Sequence, residues 1–170
     1  MVTSFLSYTT TEHLDGDKSL QQLCRRFSAD SHTLERIAAI YPMRISPYYL
    51  NLIEQPGDPI WRQAVPDPLE LDDPQGLTDP LEEENLSPVP NLVHKYPDRA
   101  LLLISNQCPV YCRFCTRKRK VGRPEMHITE ETIAAGLDYL RRTPAISDVL
   151  LSGGDPLMLS AARAREITQR

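Results

Sequence analysis

Apolar residues recur at helical spacing through the first third of the chain. Leu20, Leu23 and Phe27 share one face of Ser19–Phe27, and Leu34, Ile37, Ala38 and Ala39 form a second apolar face. Tyr41-Pro42 ends that second helix, because a residue preceding proline is pushed out of the helical region. Ser46-Pro47 reads as an N-cap with proline at the first helical position. It predicts a helix through Tyr48, Leu50, Leu52 and Ile53, ending near Pro56-Gly57. Asp58-Pro59 repeats the signal ahead of Ile60, Trp61 and Val65.

The pattern breaks between Pro66 and Pro97, which hold seven of the fifteen prolines. That density argues against a regular element. Eight acidic and no basic residues lie between Asp67 and Leu86. The plainer reading is a solvated, extended linker. The functional reading is a segment that wraps the next domain and delivers residues to its site.

From Arg99 the pattern turns α/β. Ala100–Ser105 is a continuous apolar run of strand length, as for a strand buried on both faces. A cysteine-bearing loop follows, to about His127. Thr129 caps a helix with Glu130 and Glu131 in its first turn and Ile133, Leu137 and Leu140 on one face. Asp148–Ser152 reads as a second buried strand, Gly153 to Pro156 as a turn, and Ser160–Arg170 as another helix. Strand–helix–strand–helix order implies parallel pairing with right-handed crossovers. Two strands do not make a stable parallel sheet, so we expect an N-terminal part of a longer protein.

The composition, 41% hydrophobic and 25% charged over 170 residues, is that of a globular protein. A net charge of −4 argues against a general nucleic-acid surface. No apolar run is long enough to span a bilayer, and Met1–Ser19 lacks a signal-peptide pattern. The cysteines at 24, 108, 112 and 115 do not resemble a disulfide framework, so a reducing, cytoplasmic location is the expectation.

Cys108, Cys112 and Cys115 form a C-x3-C-x2-C set directly after a strand. Thiolates are strong ligands for soft metals. A [4Fe-4S] cluster ordinarily takes four cysteines, so three leave one iron open for a small ligand. Zinc bound by these cysteines with His94 or His127 remains an alternative, as does a disulfide that strands an odd thiol. Cys24, on an apolar helical face, reads as a core thiol.

Cys108-Pro-Val-Tyr-Cys112-Arg-Phe-Cys115 resembles the radical S-adenosylmethionine (SAM) signature, including an aromatic residue, Phe114, before the third cysteine. Ser152-Gly153-Gly154-Asp155-Pro156 resembles the Gly-Gly-Glu/Asp-Pro element that meets the methionyl amino group of S-adenosyl-L-methionine. The resemblance implies an α/β fold. A helical region (1–65) and a proline-rich acidic linker (66–98) would precede the first βα units of a partial (β/α)6 barrel (99–170). Further stretches, Tyr41–Tyr49, Asp58–Ala64, Pro88–Pro90, His94–Arg99 and Cys115–Arg119, are similar to lysine 2,3-aminomutases.

That family implies pyridoxal 5′-phosphate as a second cofactor. By the resemblance, Lys95, Tyr96 and Arg99 lie near it, where the family usually has arginine, tyrosine and arginine. Lys95 keeps the charge and loses the bidentate geometry. Arg117 would hold the substrate α-carboxylate. Arg113, Lys118, Arg119, Lys120 and Arg123 share its loop, and a solvated loop suits Lys120 and Arg123 best. Phe114 stands where lysine aminomutases usually carry histidine, which weakens the case for lysine as substrate. The lysine that anchors pyridoxal phosphate lies further along in the family. The resemblance also implies an amino-acid substrate, a reductant such as flavodoxin or ferredoxin, and self-association. Relatives acting on glutamate, or on lysine for translation-factor modification, are the alternative, as is a non-catalytic iron–sulfur or zinc-binding fragment.

Overall fold

A computed structural model describes residues 16–170 apart from Asp73 and Glu125. The reading of Met1–Ser19 therefore lies, up to residue 15, outside the described residues. Four short helices come first: α1 (Gly16–Phe27), α2 (Ser31–Ile40), α3 (Pro47–Asn51) and α4 (Pro59–Ala64). Their apolar faces meet in one core, where Leu23, Ile45 and Ile53 are fully buried. Cys24 packs against this core, half-buried, as its helical position predicted.

The caps at Ser46 and Asp58 form as expected, accepting from the backbone N–H of Tyr49 and Trp61. Yet α3 ends at Asn51, well short of Pro56. Asp58 is the reason: its Oδ2 accepts the N–H groups of Glu54 at 2.8 Å and Gln55 at 3.2 Å. Arg26 meanwhile donates to the Leu50 and Ile53 carbonyls at 3.0 and 2.9 Å. Helix ends persist where such partners replace the intrahelical bonds.

The proline-rich segment is not featureless, as its composition had suggested. Pro68–Leu71 forms a 3-10 turn with a reciprocal Asp67–Glu70 capping box. Strand β1 (Leu92–Tyr96) occupies the proline-free window between Pro90 and Pro97. It pairs antiparallel with β2 (Arg99–Ser105), which pairs parallel with β3 (Asp148–Gly153). Helix α5 (Glu130–Arg142) makes the crossover, capped by Thr129, and α6 (Ala161–Thr168) follows β3, capped by Ser160.

Strand β2 is central and buried on both faces, as its apolar run requires. Ala100, Leu102 and Ile104 face α5 and α6, whereas Leu103 packs with Val121 and Met126 beneath the cysteine loop. Strand β3, expected to be buried, is the sheet edge; Val149 is 41% and Leu150 56% exposed. Among the described residues no helix is long and apolar enough to cross a membrane.

Candidate functional site

The cysteine loop leaves the C-terminal end of β2 and is built against the helical region. Val110 bridges Ile45, the Tyr111 N–H donates to the Arg44 carbonyl at 2.9 Å, and the Arg113 N–H donates to the Gln63 carbonyl at 2.8 Å. The Arg113 guanidinium is buried between Cys112 and Phe114 in sequence. It donates to the carbonyl of Pro42 at 3.0 Å and to Glu70 at 2.9 and 2.7 Å. The helical region is thus one wall of the loop.

Cys108 and Cys115 rest on the Leu103–Val121–Met126 core. The Cys115 N–H donates to the Cys112 carbonyl at 3.1 Å, closing a turn that brings those two residues together. Burial pushes the Cys108 thiol up to about 11, and the neighbouring Cys115, Asp155 and Cys112 push the same way. Burial, then Cys115, also raises Cys112. Anions that repel one another in this way are what a bound cation relieves. Among the described residues no three His, Cys, Asp or Glu side chains close on a position for one metal ion. Three thiolates are one fewer than a [4Fe-4S] cluster ordinarily takes, a donor set that suits such a cluster with one iron open.

Gly153 and Gly154 bring the second motif onto the first. The Gly154 N–H donates to the Ser105 carbonyl, and the Asp155 N–H to the Gln107 carbonyl, both at 2.7 Å. A Cβ on Gly153 would strike the Ser105 backbone, and one on Gly154 the Gln107 backbone. Gly153 also sits at φ +137°, where side chains are strained. These glycines therefore have a role within the fold, joining two strand ends, beyond the ligand approach expected of them. Asp155 accepts from the Leu157 N–H at 2.9 Å, capping the short 3-10 turn Pro156–Met158. Ser152 is half-buried at the end of β3.

Arg117 reaches across to this turn. Its Nη1 donates to the Gly153 carbonyl at 3.3 Å, and its backbone N–H donates to Cys115 Sγ at 3.4 Å. The rest of the guanidinium is held bidentately by Glu83, at 2.8 and 2.5 Å. Glu83 and Arg117 line a cavity of about 320 Å³ with Lys95, Tyr96 and Arg99. Lys95 and Tyr96 are exposed there, and Arg99 pairs with Asp98 at 3.0 Å. Phe114 is 70% exposed at the rim of the cysteine loop.

The acidic segment is tied down at four carboxylates, Glu70, Asp79, Glu83 and Glu84, while most of its other described residues are exposed. Besides the Glu70 and Glu83 pairs, Lys118 meets Glu70 at 3.1 Å, Arg119 meets Asp79 and Glu84, and Lys120 meets Glu84 at 2.7 Å. Arg123 donates to the Ala39 and Ile40 carbonyls. Lys120 and Arg123, read as solvated, are thus both engaged. Glu70 and Glu83 were missed as site residues; an acidic run preceding a basic run was the available signal.

The Radical SAM superfamily profile matches residues 102–169. An L-lysine 2,3-aminomutase of Clostridium subterminale is 51% identical over 121 residues, covering 69% of this chain and 29% of that protein. A putative L-lysine 2,3-aminomutase of Aquifex aeolicus is 40% identical over 158 residues, 90% of this chain and 42% of its own length. A glutamate 2,3-aminomutase of Clostridioides difficile is 34% identical over 143 residues, 83% of this chain and 34% of its own. The chain thus spans well under half the length of these relatives. Two motifs joined at one strand end, the match of residues 102–169 to the radical SAM superfamily and the identity to curated aminomutases agree: the chain is similar to the N-terminal part of lysine 2,3-aminomutases.

Proposed function

We propose that this chain supplies the cluster and S-adenosyl-L-methionine end of a radical amino-acid 2,3-aminomutase. The observation that carries the reading is the juncture of the cysteine loop with the Gly153–Asp155 turn: the Gly154 N–H donates to the Ser105 carbonyl and the Asp155 N–H to the carbonyl of Gln107, the residue before Cys108. A small ligand bound at a cluster held by these cysteines would have that turn as its neighbour. When bound, the cluster and sulfonium supply a 5′-deoxyadenosyl radical, and pyridoxal phosphate carries an amino group from C2 to C3.

The residues of this chain bind and orient. Cys108, Cys112 and Cys115 hold the cluster. Asp155 pairs with the methionyl ammonium, with Ser152, Gly153 and Gly154 shaping the approach, and Phe114 offers a face to adenine. Lys95, Tyr96 and Arg99 border the cavity and would lie near pyridoxal phosphate, whose phosphate ester positive charge would suit. Arg117 would meet the substrate α-carboxylate by giving up part of its bidentate pairing with Glu83. In this reading the described part of the helical region 1–65, from Gly16 on, forms a wall, 66–98 a strap, and 99–170 the start of a partial (β/α)6 barrel. The substrate is an amino acid, with lysine supported by the higher identity and glutamate second. A flavodoxin or ferredoxin supplies the electron in the cytoplasm, and the complete enzyme self-associates.

Anaerobic reconstitution with iron and sulfide tests the reading. About four irons and four sulfides per chain support it. A single tightly held zinc and no sulfide contradicts it.

A further inference from the structure

The acidic segment has only a structural place in the reading above, yet four of its eight carboxylates, Glu70, Asp79, Glu83 and Glu84, pair with one loop. Five cations of the cysteine loop each meet a carboxylate from the segment: Arg113 and Lys118 on Glu70, Arg117 on Glu83, Arg119 on Asp79 and Glu84, and Lys120 on Glu84. The inner pairs are buried, with side-chain exposures of 6% and 10% for Arg113–Glu70 and 14% and 9% for Arg117–Glu83. Buried ion pairs are poor stabilisers, since desolvation offsets most of their attraction. Exposed ones contribute little. Apolar contacts would hold the loop as well. What the pairs add is neutralisation of the cations that flank Cys112 and Cys115 in sequence.

We propose that the segment 67–86 is a counter-charge strap that sets the reduction potential of the cluster on Cys108, Cys112 and Cys115. The inference rests on the cluster reading above. Taking one electron turns [4Fe-4S]2+ into [4Fe-4S]+ and makes the site more negative. Unpaired cations nearby favour that form and raise the potential; net charge and hydrogen bonds to the sulfurs are its main protein controls. Glu70 neutralises cations on both sides of Cys115 in sequence, Arg113 and Lys118. Glu83 neutralises Arg117, whose backbone N–H already donates to the Cys115 sulfur. The strap thereby lets the loop keep arginines that brace it and carry a ligand role, without their charge making the cluster a weak reductant. A strongly reducing cluster is what electron delivery to a sulfonium requires.

Potentiometric titration of the reconstituted full chain, with dithionite as the one-electron donor and paramagnetic resonance as the readout, tests the proposal. Glu70→Gln, Glu83→Gln and Glu84→Gln are each expected to shift the midpoint to more positive potential, the two buried positions more than Glu84. Lys118→Met is expected to shift it to more negative potential, and Glu70→Gln with Lys118→Met to return it toward the parent. Glu84 is 56% exposed, so its variant remains informative if the buried ones fail to assemble. Unchanged midpoints with the cluster intact, or shifts of the same sign in Glu70→Gln and Lys118→Met, would overturn the strap proposal alone. A parent chain that takes up no cluster would overturn the cluster reading and the proposal with it.

Discussion

Arg117 donates to the carbonyl of Gly153 across 36 residues of sequence, tying the cysteine loop to the turn after β3. That bond joins the two elements most concerned with chemistry at the C-terminal end of a parallel strand pair. Open α/β sheets place ligands there, because loops rather than core side chains line that edge. The expected outcomes below all concern this juncture and the groups that hold it.

Loss of any one of Cys108, Cys112 or Cys115 to alanine is expected to abolish iron and sulfide uptake. Cys24→Ala should leave the iron content unchanged, because Cys24 packs into the helical core and not the loop. Iron analysis after reconstitution checks this. Iron stripped by Cys24→Ala would mean that the ligand set is wrong.

Asp155→Asn keeps an oxygen to accept from the Leu157 N–H and so preserves the cap. It removes the charge proposed to meet an ammonium. A charged hydrogen bond contributes roughly 1.5–3 kcal/mol, so affinity for S-adenosyl-L-methionine should fall about 10- to 100-fold. Iron content should hold. Calorimetric titration of parent and variant gives the ratio, and equal affinities would remove Asp155 from the site.

Gly154→Ala places a methyl group against the Gln107 backbone. Neither strand end can yield without breaking the bonds from Gly154 to Ser105 and from Asp155 to Gln107. Overpacking of this kind costs about 1–3 kcal/mol. A lowered melting temperature in the metal-free chain is the expected result. An unchanged one would show that the turn can move away from β2.

Burial works against ionisation of Glu70, but Arg113, the Asp67 backbone N–H and Lys118 outweigh it and hold its carboxyl below the ordinary 4.5. A carboxyl lowered in the folded state stabilises fully above its unfolded value and loses that contribution as pH falls through the folded one. Thermal unfolding between pH 7 and pH 3 should therefore show a stability loss below about pH 4 that Glu70→Gln makes shallower. Identical slopes in parent and variant would mean that the Glu70 pairs form in the unfolded chain as well, or contribute nothing.

What was legible in the sequence was local. Ser46, Asp58 and Thr129 cap the helices they were expected to cap, because an N-cap needs only a side-chain oxygen and the next turn. Strand β2 and the spacing of Cys108, Cys112 and Cys115 likewise announce themselves within a few residues. Partners distant in sequence did not show. Glu70 meets Arg113 over 43 residues and Glu83 meets Arg117 over 34, and a charge run alone does not say which opposite run it will face. Strand β1 was hidden because proline was counted across the whole segment, while the ladder needs only the five residues Leu92–Tyr96 to be free of it. The exposure of β3 was hidden because an apolar run is the same at an edge as in the middle of a sheet. The glycines at 153 and 154 were expected to admit a ligand; the nearer reason is the backbone of Ser105 and Gln107.

The central claim is an open iron beside the Gly153–Asp155 turn. It is tested most directly by the paramagnetic resonance spectrum of the reduced, reconstituted chain with and without S-adenosyl-L-methionine. The account predicts a [4Fe-4S]+ signal that changes when the ligand is added. A signal that ignores the ligand, or a folded chain that binds zinc and no cluster, would contradict it.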